Sequence, residues 1–164
     1  MKKILLATGN ITIQEETVRY SVNLAQRLRA GLEVLQVFKP SMVSGWRKVL
    51  QKLSMSRELF EGSMVAATFA EAGEFETAKL ARKLMSQIAL AVDANETAAE
   101  DAVEYHVTFR AGNPEQEIVR FVEHNHDVVL TIYDAAGSDK GSPSPEQLKE
   151  KLGVPMVTVE KKSR

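Results

Sequence analysis

Two patterns of hydrophobic positions alternate along the chain. Residues 3–8, 32–38, 103–109, 128–133 and 155–159 are runs rich in β-branched, leucine or aromatic side chains. The run at Val128, Val129, Leu130, Thr131, Ile132 and Tyr133 lacks polar alternation, the mark of a strand buried on both faces of a parallel sheet. Between the runs the apolar spacing becomes helical. Val18, Ser21, Val22, Ala25 and Leu28 share one face, with Arg19, Gln26 and Arg29 outward. Thr12-Ile13-Gln14-Glu15 has the spacing of a capping box at the start of that helix, and Gly31 is the expected stop. Residues 75–98 form a longer helix with Ala78, Leu80, Ala81, Leu84, Met85, Ile88 and Val92 on its apolar face. Asn113 caps a third helix with Pro114 in its first turn, burying Ile118, Val119 and Val122. Ser144-Pro145-Glu146-Gln147 starts a short fourth helix that Gly153 ends. Strands alternating with helices predict an α/β protein of Rossmann-like, three-layer α/β/α architecture, with right-handed crossovers around one parallel sheet.

Residues 39–73 break this rhythm, because a compact α/β unit returns within a few residues. Trp46, Val49, Leu50 and Leu53 follow helical spacing, as do Phe60, Met64 and Phe69 less regularly. Lys39, Arg47, Lys48, Lys52 and Arg57 lie in a stretch without acids, and Glu58, Glu61, Glu71, Glu74 and Glu76 in one without bases. Two helices folding back on each other would pair these charges, at about 0 to 1 kcal/mol per exposed pair. The basic helix around Trp46 suits either an anionic surface or acidic partner, or packing on the domain or a dimer mate. The neighbouring acidic stretch cancels its field and favours packing.

At 164 residues the chain is expected to form one domain, residues 1–164, with the helical insertion at 39–73. The absence of cysteine excludes disulfides, thiolate zinc sites and a cysteine nucleophile, and fits a reducing cytoplasm. A formal charge of -1 provides no global attraction for nucleic acid. The apolar run at the amino terminus ends at Ala7, short of a signal-peptide core, and no run is long enough to span a bilayer. His124 and His126 lack further ligands at informative spacing, so they read as structural and no metal is expected. His106 falls in a strand with nothing nearby to mark it as a base. No serine nucleophile elbow occurs, and an enzyme is not expected. A receiver domain would want acids after the first strand, where Gly9-Asn10 supplies none.

The fourth strand runs into Asp134 and then a small, polar loop. Gly137-Ser138-Asp139-Lys140-Gly141-Ser142 contains phosphate-loop ingredients, but its lysine precedes the second glycine instead of following it. This leaves an ordinary flexible loop or a residual anion contact.

Three stretches carry a family resemblance. KKILLAT followed by TVRYSVNLAQRLRAGLEVLQVF resembles the opening of universal stress protein domains. VTFRAGNPEQEIVRFVEHNHDVVLTIY resembles that family's third strand, helix start and fourth strand, and GVPMVTV its last strand. The resemblance implies a five-stranded parallel sheet in the order 3-2-1-4-5, with the switch point between the first and fourth strands. It also implies a residual ligand crevice at Gly9, Asn10, Asp134, Gly137, Lys140, Gly141 and Ser142. Family members that hold ATP place an acid after the first strand and a glycine-spaced loop after the fourth. Here that acid aligns with Gly9, the first loop glycine aligns with Asp134, and three residues separate Gly137 from Gly141. A carboxylate about 4 Å from a phosphate costs roughly 1 kcal/mol in water and about 4 kcal/mol at a partly shielded site. Lys140 offsets part of that cost, while the shortened loop brings Ser144 and Glu146 to the helix start. Weak or absent ATP binding is therefore expected, with no cofactor. The alternative is a switch protein that retains an adenine nucleotide such as ATP. The resemblance further implies a homodimer through Met156, Val157, Thr158 and Val159, an apolar edge strand. The expected whole is a non-catalytic, dimeric stress-response or interaction module, with a possible protein partner at the inserted helices.

Overall fold

The computed structural model describes residues 1–10, 13–39, 75–95, 102–135 and 142–160. Apart from Lys39, the proposed insertion lies outside the described residues, as do its segregated charges other than Lys39 and Glu76. Among the described residues nine elements follow in order: β1 (Lys3–Thr8), α1 (Glu15–Leu28), β2 (Gly31–Phe38), α2 (Phe75–Asn95), β3 (Tyr105–Ala111), α3 (Pro114–His124), β4 (Val128–Asp134), α4 (Pro145–Lys151) and β5 (Met156–Val159). The strands form a five-stranded sheet in the order β3-β2-β1-β4-β5, and all four pairings are parallel.

Period-two alternation along the strands feeds two separate cores. Ile4, Leu6, Leu32, Val34 and Ile132 face α1 and α2, meeting Val18, Val22, Ala25, Ala81, Leu84 and Ile88. Leu5, Ala7, Leu35, Val37 and Tyr133 face α3 and α4, meeting Ile118, Phe121, Val122 and Leu148. The unbroken apolar runs thus have a physical reason: every second residue serves a different helical layer.

The outer strands depart from this pattern. In β4 only Thr131–Asp134 are fully buried in succession, because β5 begins pairing at Thr131. The register slips between Lys3 and Ile4, leaving Val129 as an extra residue that is 37% exposed. Such a bulge twists an otherwise open strand edge away from further pairing. In β3 the residues in register with Glu33, Leu35 and Val37 are His106, Thr108 and Arg110, which are polar, and His106 is exposed. Arg110 lies 5.1 Å above the Phe121 ring and pairs with Glu117, tying the strand to α3.

Several local expectations need correction. Glu15, not Ile13, is the first helical residue of α1; its cap is Gln14, which offers no side-chain hydrogen bond, and Thr12 lies outside the described residues. Gly31 does not stop α1. Arg29 does so in the left-handed conformation (φ 49°), its N–H reaching the Ala25 and Gln26 carbonyls, and Gly31 opens β2. The third strand runs two residues later than its apolar pattern suggested, because Val103 is buried ahead of it as a lead-in. The capping expected at Asn113 and Ser144 is present: each side chain accepts a backbone N–H three residues on, at 3.2 Å.

Candidate functional site

The crevice between β1 and β4 is built from two strand exits. After Thr8 the chain turns through Gly9 and Asn10, and β4 ends at Asp134. Gly9 is required by close approach: a Cβ there would stand 2.9 Å from Pro114 Cβ and 3.1 Å from Pro114 Cγ. The first turn of α3 is packed directly onto the exit of β1.

Asn10 is buried and joins three parts of the chain. Its N–H donates to Thr8 Oγ1 at 3.1 Å, its carbonyl accepts from Gln36 Nε2 at 3.0 Å, and its Oδ1 accepts from Ser142 Oγ at 3.3 Å. By strand alternation Thr8, Gln36 and Asp134 continue the face that carries Leu6, Val34 and Ile132. All three are buried, with Asp134 fully so. Its Oδ2 accepts the Gln14 backbone N–H at 3.2 Å, from the residue that precedes α1.

Tyr133 points to the other face, where its hydroxyl donates to the Pro143 carbonyl at 3.1 Å. Burial, with a smaller contribution from the neighbouring Asp134 charge, pushes its phenol up to about 12. The residue after Pro143 is Ser144, the cap of α4, so this hydroxyl holds the returning chain at the helix start.

Of the proposed crevice residues, the structure therefore brings together Gly9, Asn10 and Ser142, with Asp134 beside them. Gly137, Lys140 and Gly141 lie outside the described residues. The sequence reading missed Thr8, Gln36, Tyr133 and Pro143. Gln36 carried a usable signal, since it is an uncharged polar residue inside an otherwise buried run. Chemically, the described groups hold one another. Hydroxyls and amides pair across strand exits, and the single carboxylate among them takes a backbone N–H. Of the four expected edge residues, each of Met156, Val157, Thr158 and Val159 is half-buried in the chain alone. His124 Nδ1 lies 2.7 Å from the Arg120 carbonyl within its own helix, and no cluster of three or more metal-ligating side chains occurs among the described residues. No described helix is long and apolar enough to cross a membrane.

The sequence profile of the universal stress protein family matches residues 1–132. The chain belongs to that family. The match ends two residues before Asp134, so the exit of β4, α4 and β5 of this universal stress protein lie beyond it. Solved structures agree at the level of the fold. Universal stress protein UspA from Lactobacillus plantarum is similar with a TM-score of 0.56 and 16% identity, over 96% of this chain and 97% of that one. A universal stress protein crystallised in complex with cAMP also gives a TM-score of 0.56, at 12% identity and 96% coverage of each chain. No curated protein sequence matches the chain.

Proposed function

We propose that this universal stress protein acts without catalysis, as a cytoplasmic, homodimeric stress-response or interaction module that binds ATP weakly or not at all. One observation carries this reading: Asn10 bonds to Thr8, Gln36 and Ser142, so these described crevice groups are engaged with each other. A nucleotide would have to replace these bonds, and its phosphates would meet the Asp134 charge. The packing of Gly9 on Pro114 further narrows the approach to backbone amides. Calorimetric titration of the purified protein with ATP, with identification of any nucleotide released on denaturation, tests the reading. Heat of binding at micromolar ATP, or a stoichiometric released nucleotide, would overturn it.

A second reading keeps an adenine nucleotide at the β1/β4 crevice, with Gly9, Asn10, Asp134, Gly137, Lys140, Gly141 and Ser142 around it. It is favoured by the similar fold that was crystallised with cAMP. The same titration with cAMP separates the two.

The proposed dimer contact is β5, and the half-buried, mostly apolar edge of Met156, Val157, Thr158 and Val159 supports it. Pairing with a second copy would satisfy that edge through an isologous contact. Val157→Asp is expected to halve the mass measured by light scattering at micromolar concentration. An unchanged mass would place the contact elsewhere. Residues 1–164 are taken as one domain, and the segment at 39–73 as the place where a protein partner would bind. The formal charge of -1 argues against a nucleic-acid partner.

A further inference from the structure

We propose that the Asp134 carboxylate is a built-in anion at the β1/β4 switch point, joining the exit of β4 to the start of α1 so that this junction closes without a bound ligand. The inference deepens the reading of a nucleotide-poor crevice and rests on it for its functional meaning. The start of a helix carries unpaired N–H groups and partial positive charge, which an anion satisfies well. In α1 the cap residue Gln14 contributes no side-chain acceptor of its own. The acceptor comes from Asp134, 120 positions away, at 3.2 Å from the Gln14 nitrogen. Asp134 is fully buried, so solvent does not hold its charge.

The tie runs between two elements on either side of β1's exit. Asn10, immediately after that exit, is linked independently to Gln36 and Ser142. The carboxylate therefore fixes α1 relative to β4, while Asn10 fixes the exits of β1 and β2. An anion supplied by a ligand would be redundant at the first of these junctions. Asp134 thus acts as a positioning residue, and its position in the chain explains why no local spacing around α1 announces it.

The test compares thermal unfolding of the full-length protein with Asp134→Asn and Asp134→Ala, each in sodium formate and in sodium chloride at matched ionic strength. Asp134→Ala is expected to lower Tm by roughly 4 °C, as for loss of a helix cap in a chain of this size. Formate, a carboxylate small enough for the vacated space, is expected to restore part of that loss where chloride does not. Asp134→Asn, which keeps an acceptor oxygen without the charge, should fall between the two. An unchanged Tm in Asp134→Ala, or equal effects of formate and chloride, overturns the proposal. If Asp134→Ala does not fold, amide hydrogen exchange at Gln14 decides. Exchange several-fold faster in Asp134→Asn than in the parent supports the tie, and equal rates overturn it. ATP binding to the parent protein would sink the nucleotide-poor reading but leave the formate result intact, so the two failures are distinguishable.

Discussion

The two ends of the sheet handle polarity in opposite ways. At the amino-terminal end, Lys3 Nζ bridges Glu33 Oε1 at 2.9 Å and Asp127 Oδ2 at 3.1 Å, joining β1, β2 and the entry to β4. The hydrogen bond to Glu33 holds the Lys3 ammonium above its usual range, against the opposing effect of burial. Lys3 and Asp127 keep part of their surface in water there. Toward the carboxyl end the same three strands carry Thr8, Gln36 and Asp134, all buried, and Asn10 is tied to the first two by neutral hydrogen bonds. Solvated ion pairs respond to salt, whereas a dry network depends on geometry and on every partner being present. The end where a parallel α/β sheet ordinarily receives its ligand is thus the end at which Thr8, Asn10 and Gln36 are buried and bonded to one another.

Four perturbations sharpen or break that contrast. The largest effect is expected from Gly9→Ala, whose new methyl would press on the rigid Pro114 ring and cost about 3 kcal/mol, the upper end for overpacking. Urea denaturation measures it, and an undiminished midpoint would mean that the β1 exit and α3 are not in tight contact. Next is alkaline pH. With the Tyr133 phenol raised to about 12 in the folded state and near 10 when unfolded, the folded protein keeps its proton longer. Stability is thus fully present below pH 10 and falls between about pH 10 and 12, by roughly 2 to 3 kcal/mol. The raised Lys3 acts in the same direction, so Tyr133→Phe is needed to isolate the carboxyl end. A pH profile unaltered by that substitution would contradict the assignment.

Third, Glu33→Gln should cost about 1 kcal/mol at low ionic strength, and the difference should shrink in high salt because the pair is partly solvated. Gly9→Ala should show no such salt dependence. Identical salt responses would erase the distinction between the two ends. The smallest effect belongs to Ser142→Ala, which removes one neutral hydrogen bond to Asn10 and should cost about 0.5 kcal/mol. A much larger loss in urea would show that Asn10 depends on that bond to hold the strand exits together.

Much of the scaffold was legible because its cause is local and periodic. Unbroken apolar runs marked the strands, and helical spacing selected Val18, Val22, Ala25 and Ile88 for burial, as found, whereas Leu28, placed on the same face by its spacing, is exposed at the end of α1. Asn113 and Ser144 could be read as caps since the groups they satisfy lie three residues away. Thr12 misled for the complementary reason: its spacing to Glu15 met a local rule, but α1 begins at Glu15 and the Gln14 N–H is held by Asp134 from the far side of the sequence. Gly9 was noticed as the place of a missing acid. Its demonstrable constraint is steric, and it comes from Pro114, more than a hundred positions later.

What the sequence determined alone is the class of architecture, the parallel character of the strands and most residues of the two cores, because burial in α/β layers imposes a short-range pattern. Tertiary structure decided the chemistry of the crevice. Residues 8, 10, 36, 134 and 142 have no common spacing, and only the parallel winding of β1, β2 and β4 sets their exits side by side. The carboxylate of Asp134 accepts a hydrogen bond at the start of a helix 120 positions earlier in the chain. That role follows from three-dimensional proximity, which local sequence patterns do not encode.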